Sequence, residues 1–146
     1  NPNAFSFSKA NIPDLNYSFS GLKTSFLYFL RDNLKEDPDF IEKNKADLCA
    51  SIQREIIETL MKKLVKASKE TGIKQVAIAG GVSANSALQQ AMYDNGKRHG
   101  WKVFIPKFKF STDNAAMIGI AGYFKYKSGQ FASQDLTPYA RTTNQK

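Results

Sequence analysis

The sequence predicts an α/β fold, a single domain over residues 1–146 with a parallel β-α-β core and added helices. Two short runs of consecutive apolar residues, 76–79 and 103–105, are typical of parallel strands buried on both faces. The helical pattern between them has the length of a right-handed crossover helix. With 146 residues, 42% of them hydrophobic, the chain can bury an ordinary core, and this composition excludes disordered and collagen-like proteins.

Two helices are expected before the first strand, after an extended lead-in over residues 1–17. The first helix begins near Ser20, which could act as its N-cap, and carries an apolar stripe of Leu22, Phe26, Leu30 and Leu34. A longer helix follows, with apolar residues at steps of four from Leu48 to Leu64, and ends at Gly72.

The remaining elements alternate strand and helix. The first strand ends at Gly80 and Gly81, and a helix over about residues 85–95 leads to the second strand, which Pro106 closes.

The last predicted helix starts near Ser111 or Thr112 and ends by Gly129. The polar tail, residues 128–146, is expected to fray.

The cysteine count limits the possible chemistry. Cys49 is the only cysteine, so an intrachain disulfide and a cysteine-based zinc site are excluded, and a reducing cytosol is expected. Cys49 lies among small and apolar residues, which favours a packed structural thiol. No membrane helix is expected, and the start Asn-Pro-Asn is unlike a signal peptide, which suggests a fragment or a trimmed chain.

Positive charge is concentrated in the last third of the chain. Residues 1–96 carry 12 basic and 11 acidic side chains, whereas residues 97–146 carry 9 and 2. Basic and aromatic residues alternate at Trp101, Lys102, Phe104, Lys107, Phe108, Lys109 and Phe110, a pattern that suits a polyanion. The same alternation is typical of a strand with one solvated face, and the pattern leaves both interpretations open.

Two turns follow the strands. In an open parallel sheet, ligands bind beyond the carboxyl ends of the strands, so Asn85 and Asp113 are expected to face one cleft. Each begins a helix, where free N–H groups favour phosphate or carboxylate. Gly80 and Gly81 would allow close approach of a nucleotide, and Asn85 offers it a donor and an acceptor. A plain strand-to-helix turn explains the same glycines.

Asp113 has two interpretations, an acid in the first turn of a helix or a metal ligand. One carboxylate does not make a metal site, and no other residue of the chain supplies the remaining ligands.

A serine hydrolase is disfavoured. Gly81-Val-Ser83-Ala-Asn85 nearly matches the elbow G-x-S-x-G, but a triad needs a histidine. The sole histidine, His99, is expected at the surface, about four turns of 5.4 Å along the helix that Ser83 would begin. Near the first helix, Lys23 could serve an anion or be simply solvated.

Three runs together resemble one family: residues 18–25 (SFSGLKTS), 79–88 (AGGVSANSAL) and 111–122 (STDNAAMIGIAG). They are similar to the C-terminal part of the tRNA threonylcarbamoyladenosine transferase family, TsaD in bacteria, formerly described as a glycoprotease or O-sialoglycoprotein endopeptidase. The resemblance extends over about residues 5–129. It implies the actin-like, Hsp70-like (ribonuclease H-like, ASKHA) fold of two lobes, of which this chain would be the second.

The resemblance also implies a reaction and its site. The threonylcarbamoyl group would pass from threonylcarbamoyl-AMP to the adenosine beside the anticodon of tRNAs that read codons starting with A. Asn85 would bind the adenylate, Gly80 and Gly81 would line its pocket, and Asp113 would ligate one iron or zinc ion. The implied partners are tRNA and the bacterial subunits TsaB and TsaE, in the cytoplasm.

The family's His-x-x-x-His metal helix does not occur in this sequence. We therefore expect this chain alone to contain no catalytic residue, to hold metal weakly and to be inactive. The alternatives are a metalloendopeptidase and a noncatalytic nucleotide-binding lobe used in complex assembly.

Overall fold

The computed structural model describes residues 1–8 and 12–137. The chain forms two compact units, residues 1–111 and 112–146. The first contains the helices α1 (Ser20–Glu36), α2 (Phe40–Thr71) and α3 (Ser86–His99) and the strands β1 (Gln75–Ala77) and β2 (Lys102–Phe104), and the second contains α4 (Ala115–Lys127). The fold is therefore α/β. The single domain stays a prediction, and residues 138–146 of the predicted tail lie outside the described residues.

The β-α-β unit is confirmed. Strands β1 and β2 pair in parallel with Val76 opposite Val103, and α3 connects them. The prediction that both strand faces are buried is wrong, because only Val76 of β1 is buried. Alternate residues point to opposite faces, so the described elements cover the face of Val76 and leave the face of Gln75 and Ala77 open.

The core lies where α2 and α3 meet the sheet. It consists of Met61, Val76, Leu88, Met92 and Trp101, and partly buried side chains of α2, such as Leu64, pack around it. In the part of the chain that is described, no helix is long and apolar enough to cross a membrane.

Local signals set most helix ends. Helices α2 and α3 end at Gly72 and Gly100, whose φ angles of 71° and 68° are left-handed. The end at Gly72 is as predicted, whereas α3 runs to His99, beyond its predicted end near residue 95. The predicted cap at Ser20 is wrong: Phe19 precedes α1, Ser20 is the first helical residue, and no side chain caps the helix.

The start of α4 also differs from the prediction. The helix begins at Ala115 rather than at Ser111 or Thr112, because Asn114 adopts extended backbone and its side chain accepts a hydrogen bond from the N–H of Met117.

The N-terminal segment is held by a polar face of α2. Ser51 and Glu55 are buried there, and the N–H of Phe5 donates to Ser51 Oγ at 3.2 Å. Arg54 pairs with Glu55 and donates to the carbonyl of Phe5 at 3.4 Å. The predicted packing of Cys49 is wrong, because this thiol is exposed. Successive helical residues are about 100° apart, so a helix that turns its neighbour Leu48 inward points position 49 elsewhere.

Candidate functional site

The turn after β1 is a tightly bonded loop. Gly80 has φ 81° and ψ 177°, a conformation that favours glycine, and a short 3-10 turn follows over Gly81–Ala84. The N–H of Ser83 donates to the Gly80 carbonyl at 3.0 Å, and Ser83 Oγ donates to the same oxygen at 2.7 Å. Ser83 is 1% exposed. Its hydroxyl therefore serves the turn, which argues further against a nucleophilic serine.

The sole histidine lies away from this serine along α3. His99 is the last residue of that helix, is half-buried, and its ring centroid lies 5.3 Å from that of Trp101. Its ring packs partly against the end of the core, so the expected surface position is only partly correct.

Asn85 joins the turn to α3. Its Oδ1 accepts from the N–H of Leu88 at 3.0 Å and so caps the helix, and its Nδ2 donates to Gln53 Oε1 at 2.9 Å. As far as the described residues go, one amide hydrogen and one oxygen lone pair of Asn85 remain free for a ligand. The sequence gives no signal for Gln53, since only the packing of α2 against this turn brings it to Asn85.

Gly81 is not required by the turn itself. Its φ lies outside the left-handed region, and a Cβ there would meet no atom of residues 1–8 and 12–137 within 4 Å. A side chain would instead project into open space beside Val82, which is 65% exposed. The backbone conformation of Gly80 thus explains why glycine stands at that position. At Gly81 no such requirement applies, and the space where a side chain would lie is unfilled among the described residues.

Three apolar cavities meet at Val82 and Leu60. The largest, about 530 Å³, lies between α1, α2 and the turn, with Lys23 at its edge. A second, of about 300 Å³, is bordered by Gln53 and Asn85, and a third, of about 270 Å³, reaches β1. The second is at the lower end of the size range of small-molecule sites and places two carboxamides at the edge of an apolar recess. A planar ring with a polar edge fits this arrangement.

The run Ser18–Ser25 is largely structural. Leu22 is buried, Ser25 Oγ accepts from the N–H of Ser8 at 3.1 Å, and Thr24 Oγ1 donates to the Ser20 carbonyl at 3.1 Å. Lys23 is exposed and forms no ion pair with the residues that are described. It is the one cationic side chain of this run.

Asp113 belongs to the second unit and is exposed. It precedes the capping residue Asn114, so its predicted place in the first helical turn is wrong. Its carboxylate forms no hydrogen bond or ion pair within the described ranges, which leaves both oxygens available. That Asn85 and Asp113 face one cleft stays a prediction.

The chain's own residues do not fit a complete metal site. In residues 1–8 and 12–137, no three His, Cys, Asp or Glu side chains lie close enough to hold a metal ion. Asp113 alone would leave most positions of a divalent ion without protein ligands.

The basic and aromatic residues around β2 reach the surface. Lys102 and Phe104 are exposed on one side of β2, and Phe108 and Phe110 follow on a 3-10 turn with Lys109 between them. Trp101, the first residue of the predicted interleaving, is instead buried in the core. From Lys102 to Phe110 the interleaving is a feature of the surface.

Known proteins resemble this chain closely. The family model described as TsaD, tRNA N6-adenosine threonylcarbamoyltransferase, matches residues 1–120. Proteins of that name from Porphyromonas gingivalis and Phocaeicola vulgatus are 61% and 58% identical to it over 143 residues, 98% of the chain and 42% of each relative. The one from Riemerella anatipestifer is 55% identical over 140 residues, 96% of the chain and 41% of the relative. The chain thus spans less than half the length of these curated relatives. With most of its residues matched, it belongs to the TsaD family of tRNA N6-adenosine threonylcarbamoyltransferases.

Proposed function

We propose that this chain is one lobe of an enzyme that transfers the threonylcarbamoyl group from threonylcarbamoyl-AMP to the adenosine beside the anticodon of tRNA. In this proposal the chain contributes the second lobe of an actin-like, Hsp70-like fold of the ribonuclease H type. The remaining length, which the relatives have beyond the matched region, supplies the first lobe. The family membership and the parallel sheet support this placement.

The observation that carries the proposal is the recess bordered by Gln53 and Asn85. Its apolar walls, Ile52, Ile56 and Val82, suit the faces of an adenine ring, and Gln53 and Asn85 stand where its polar edge would lie. Among the described residues, no atom lies within 4 Å of a Cβ built at Gly81, and this space would admit the ribose or phosphate to the backbone. Asn85 is accordingly assigned to adenylate binding. Gly80 and Gly81, which precede the lining residue Val82 in the chain, are assigned to the same pocket on the family resemblance.

These residues act by binding and orienting one substrate. The exocyclic amine of the tRNA adenosine attacks the carbamoyl carbon, a carbon–nitrogen bond forms, the carbon–oxygen bond to phosphate breaks, and AMP leaves. The attacking nitrogen loses one proton, which passes to solvent. Asn85, fixed by its bonds to Leu88 and Gln53, holds the adenylate while the apolar recess keeps water from its base. Fixed positioning of two substrates lowers the barrier by avoiding the entropy cost of bringing them together.

Asp113 is proposed as one ligand of a divalent metal, iron or zinc. The other ligands would come from protein outside this chain, since the described residues do not complete a site. A bound ion of this kind supplies Lewis-acid polarisation of a carbonyl oxygen. Partnership with TsaB and TsaE and a cytoplasmic location belong to the same proposal and follow from the family alone.

The decisive experiment is nucleoside mass spectrometry. Unmodified tRNA is incubated with threonine, bicarbonate, ATP, the partner proteins and either the complete protein, its Asp113→Ala variant or an Asp135→Ala control. Asp135 is a second exposed aspartate of the same unit. We expect threonylcarbamoyladenosine with the complete protein and the control only, and a lower metal content in Asp113→Ala alone.

Absence of product with every protein, although the partner proteins are shown to be competent, would refute the transfer function. It would return the metalloendopeptidase and the noncatalytic nucleotide-binding lobe as the leading interpretations.

A further inference from the structure

The surface around β2 carries uncompensated positive charge. Residues 95–112 contain five basic side chains, Lys97, Arg98, Lys102, Lys107 and Lys109, and no acidic one. None of the five forms an ion pair with a residue that the structure describes. A stretch of this kind attracts polyanions, because neutralising phosphates releases their condensed counterions.

Exposed aromatic rings lie among these charges. Lys102 Nζ lies 5.3 Å from the ring centroid of Phe104, and Lys109 Nζ lies 5.0 Å from that of Phe110. These cation–π contacts hold the two ammonium groups above exposed rings, so the side chains are partly ordered before any partner binds. We call Lys102, Phe104, Lys107, Phe108, Lys109 and Phe110 the basic-aromatic strip.

Phe108 is the unusual member of the strip. It is 79% exposed, more than any other large hydrophobic side chain among the described residues, and its ring pairs with no described ring or cation. Its backbone is nevertheless fixed, since it belongs to a 3-10 turn in which the N–H of Ser111 donates to its carbonyl at 3.0 Å. A ring presented to water on an ordered turn between two lysines is suited to stacking on a flat partner.

We propose that the basic-aromatic strip binds unpaired nucleotides of tRNA, with Phe108 stacking on one exposed base and the lysines contacting the phosphates. This inference takes tRNA as the substrate from the proposed function, on which it rests, and adds the surface of this chain that would bind it. The alternation of lysine and phenylalanine side chains favours unpaired nucleotides over a paired duplex. In a duplex the nucleobases are already stacked on one another, and its phosphates require only positive charge for binding.

The test is fluorescence anisotropy of the complete protein with a labelled RNA hairpin that has an unpaired loop, and with a fully paired duplex that has the same number of phosphates. Phe108→Ala is expected to weaken hairpin binding about tenfold or more, with duplex binding and the slope of log K against log salt unchanged. Phe108→Tyr, which keeps the ring, restores the affinity. Phe131→Ala removes a ring that is 72% exposed in the second unit and is the matched control.

The lysines have a different signature. Replacing Lys102, Lys107 and Lys109 by Gln weakens both RNAs and makes the salt dependence shallower by about 0.7 per lost contact with single-stranded RNA. Replacing three other exposed lysines, Lys45, Lys62 and Lys69, by Gln controls for net charge.

Equal hairpin affinity of the parent and Phe108→Ala overturns the inference, as does an equal loss in Phe131→Ala. It is also overturned if Phe108→Ala loses binding to phosphatidylserine vesicles while its RNA binding is unchanged. Product formation is measured in parallel, so absence of the transfer reaction and failure of the strip to bind RNA are separate results.

Discussion

Asn85 has two roles, a structural one as the cap of α3 and a proposed one in adenylate binding. Different substitutions at Asn85 test the two roles separately. Its Oδ1 caps the helix through the Leu88 N–H at 3.0 Å, and its Nδ2 donates to Gln53 at 2.9 Å. Loss of such a cap costs about 0.5–2 kcal/mol, and loss of a partly exposed hydrogen bond costs about 0.5–1.5 kcal/mol. Asn85→Ala therefore destabilises the start of α3 by about 2 kcal/mol, the larger part from the cap.

Asn85→Asp keeps the acceptor and loses the donor. Aspartate is as good an N-cap as asparagine, and its charge near the helix start adds about 0.3–1 kcal/mol. The Gln53 amide can turn to donate its own N–H to the new carboxylate. The stability of α3 in Asn85→Asp should therefore equal that of the parent or exceed it by up to about 1 kcal/mol.

Hydrogen exchange of the complete protein measures these differences at α3, on a peptide covering residues 86–92. Since about 1.4 kcal/mol corresponds to a factor of ten, Asn85→Ala should accelerate exchange more than tenfold and Asn85→Asp less than threefold. Binding of AMP, measured by calorimetry, should fall at least about tenfold in both variants, because neither can donate and the aspartate repels the phosphate.

The matched control is Asn95→Ala, whose amide bonds the Ala91 carbonyl at 2.8 Å on the same helix. It should bind AMP as the parent does. Equal acceleration of exchange in Asn85→Asp and Asn85→Ala would refute the capping argument. Parent-like AMP affinity in either variant would refute the adenylate assignment.

Two further predictions concern packing and pH. A Cβ at Gly96 would lie 2.7 Å from Val103 Cγ2. Gly96→Ala should therefore destabilise the protein by about 1 kcal/mol, because the higher helix propensity of alanine offsets only part of the overpacking. Val103→Ala should relieve the clash, and urea unfolding of the single and double variants measures both effects. Hydrogen bonds from Arg31 and then Lys35 lower the pKa of Asp32 to about 2. The ionised Asp32 side chain therefore contributes its stabilisation in full above the ordinary carboxyl pKa, and this stabilisation is lost as the pH falls through about 2. An NMR titration that finds an ordinary pKa for Asp32 would contradict this.

Local chemistry is what the sequence predicts well here. Gly72 ends a helix because its left-handed φ angle strains any residue with a side chain. Asn85 starts one because its oxygen reaches a free N–H three residues on. Both effects act within one turn of the chain. The two apolar runs likewise specify strands, and the crossover helix between them requires a parallel pair.

The tertiary structure decided which face of each element is covered. Periodicity along α2 predicts a buried apolar stripe, but only the path of the N-terminal segment explains why the polar residues Ser51 and Glu55 are buried. In the same way, Ser83 resembles a nucleophile in sequence, and its role became clear only when its hydroxyl was found on the Gly80 carbonyl.

The candidate site likewise combines features that the sequence predicts with features that only the structure shows. The sequence by itself determined the family, the glycine turn, Asn85 and the basic character of the last third of the chain. The tertiary structure brought Gln53 to Asn85, showed that Gly81 borders unused space, and placed Phe108 in water on an ordered turn. These features depend on contacts between residues far apart in the chain, and neither residue type nor spacing encodes which distant element will cover a given face.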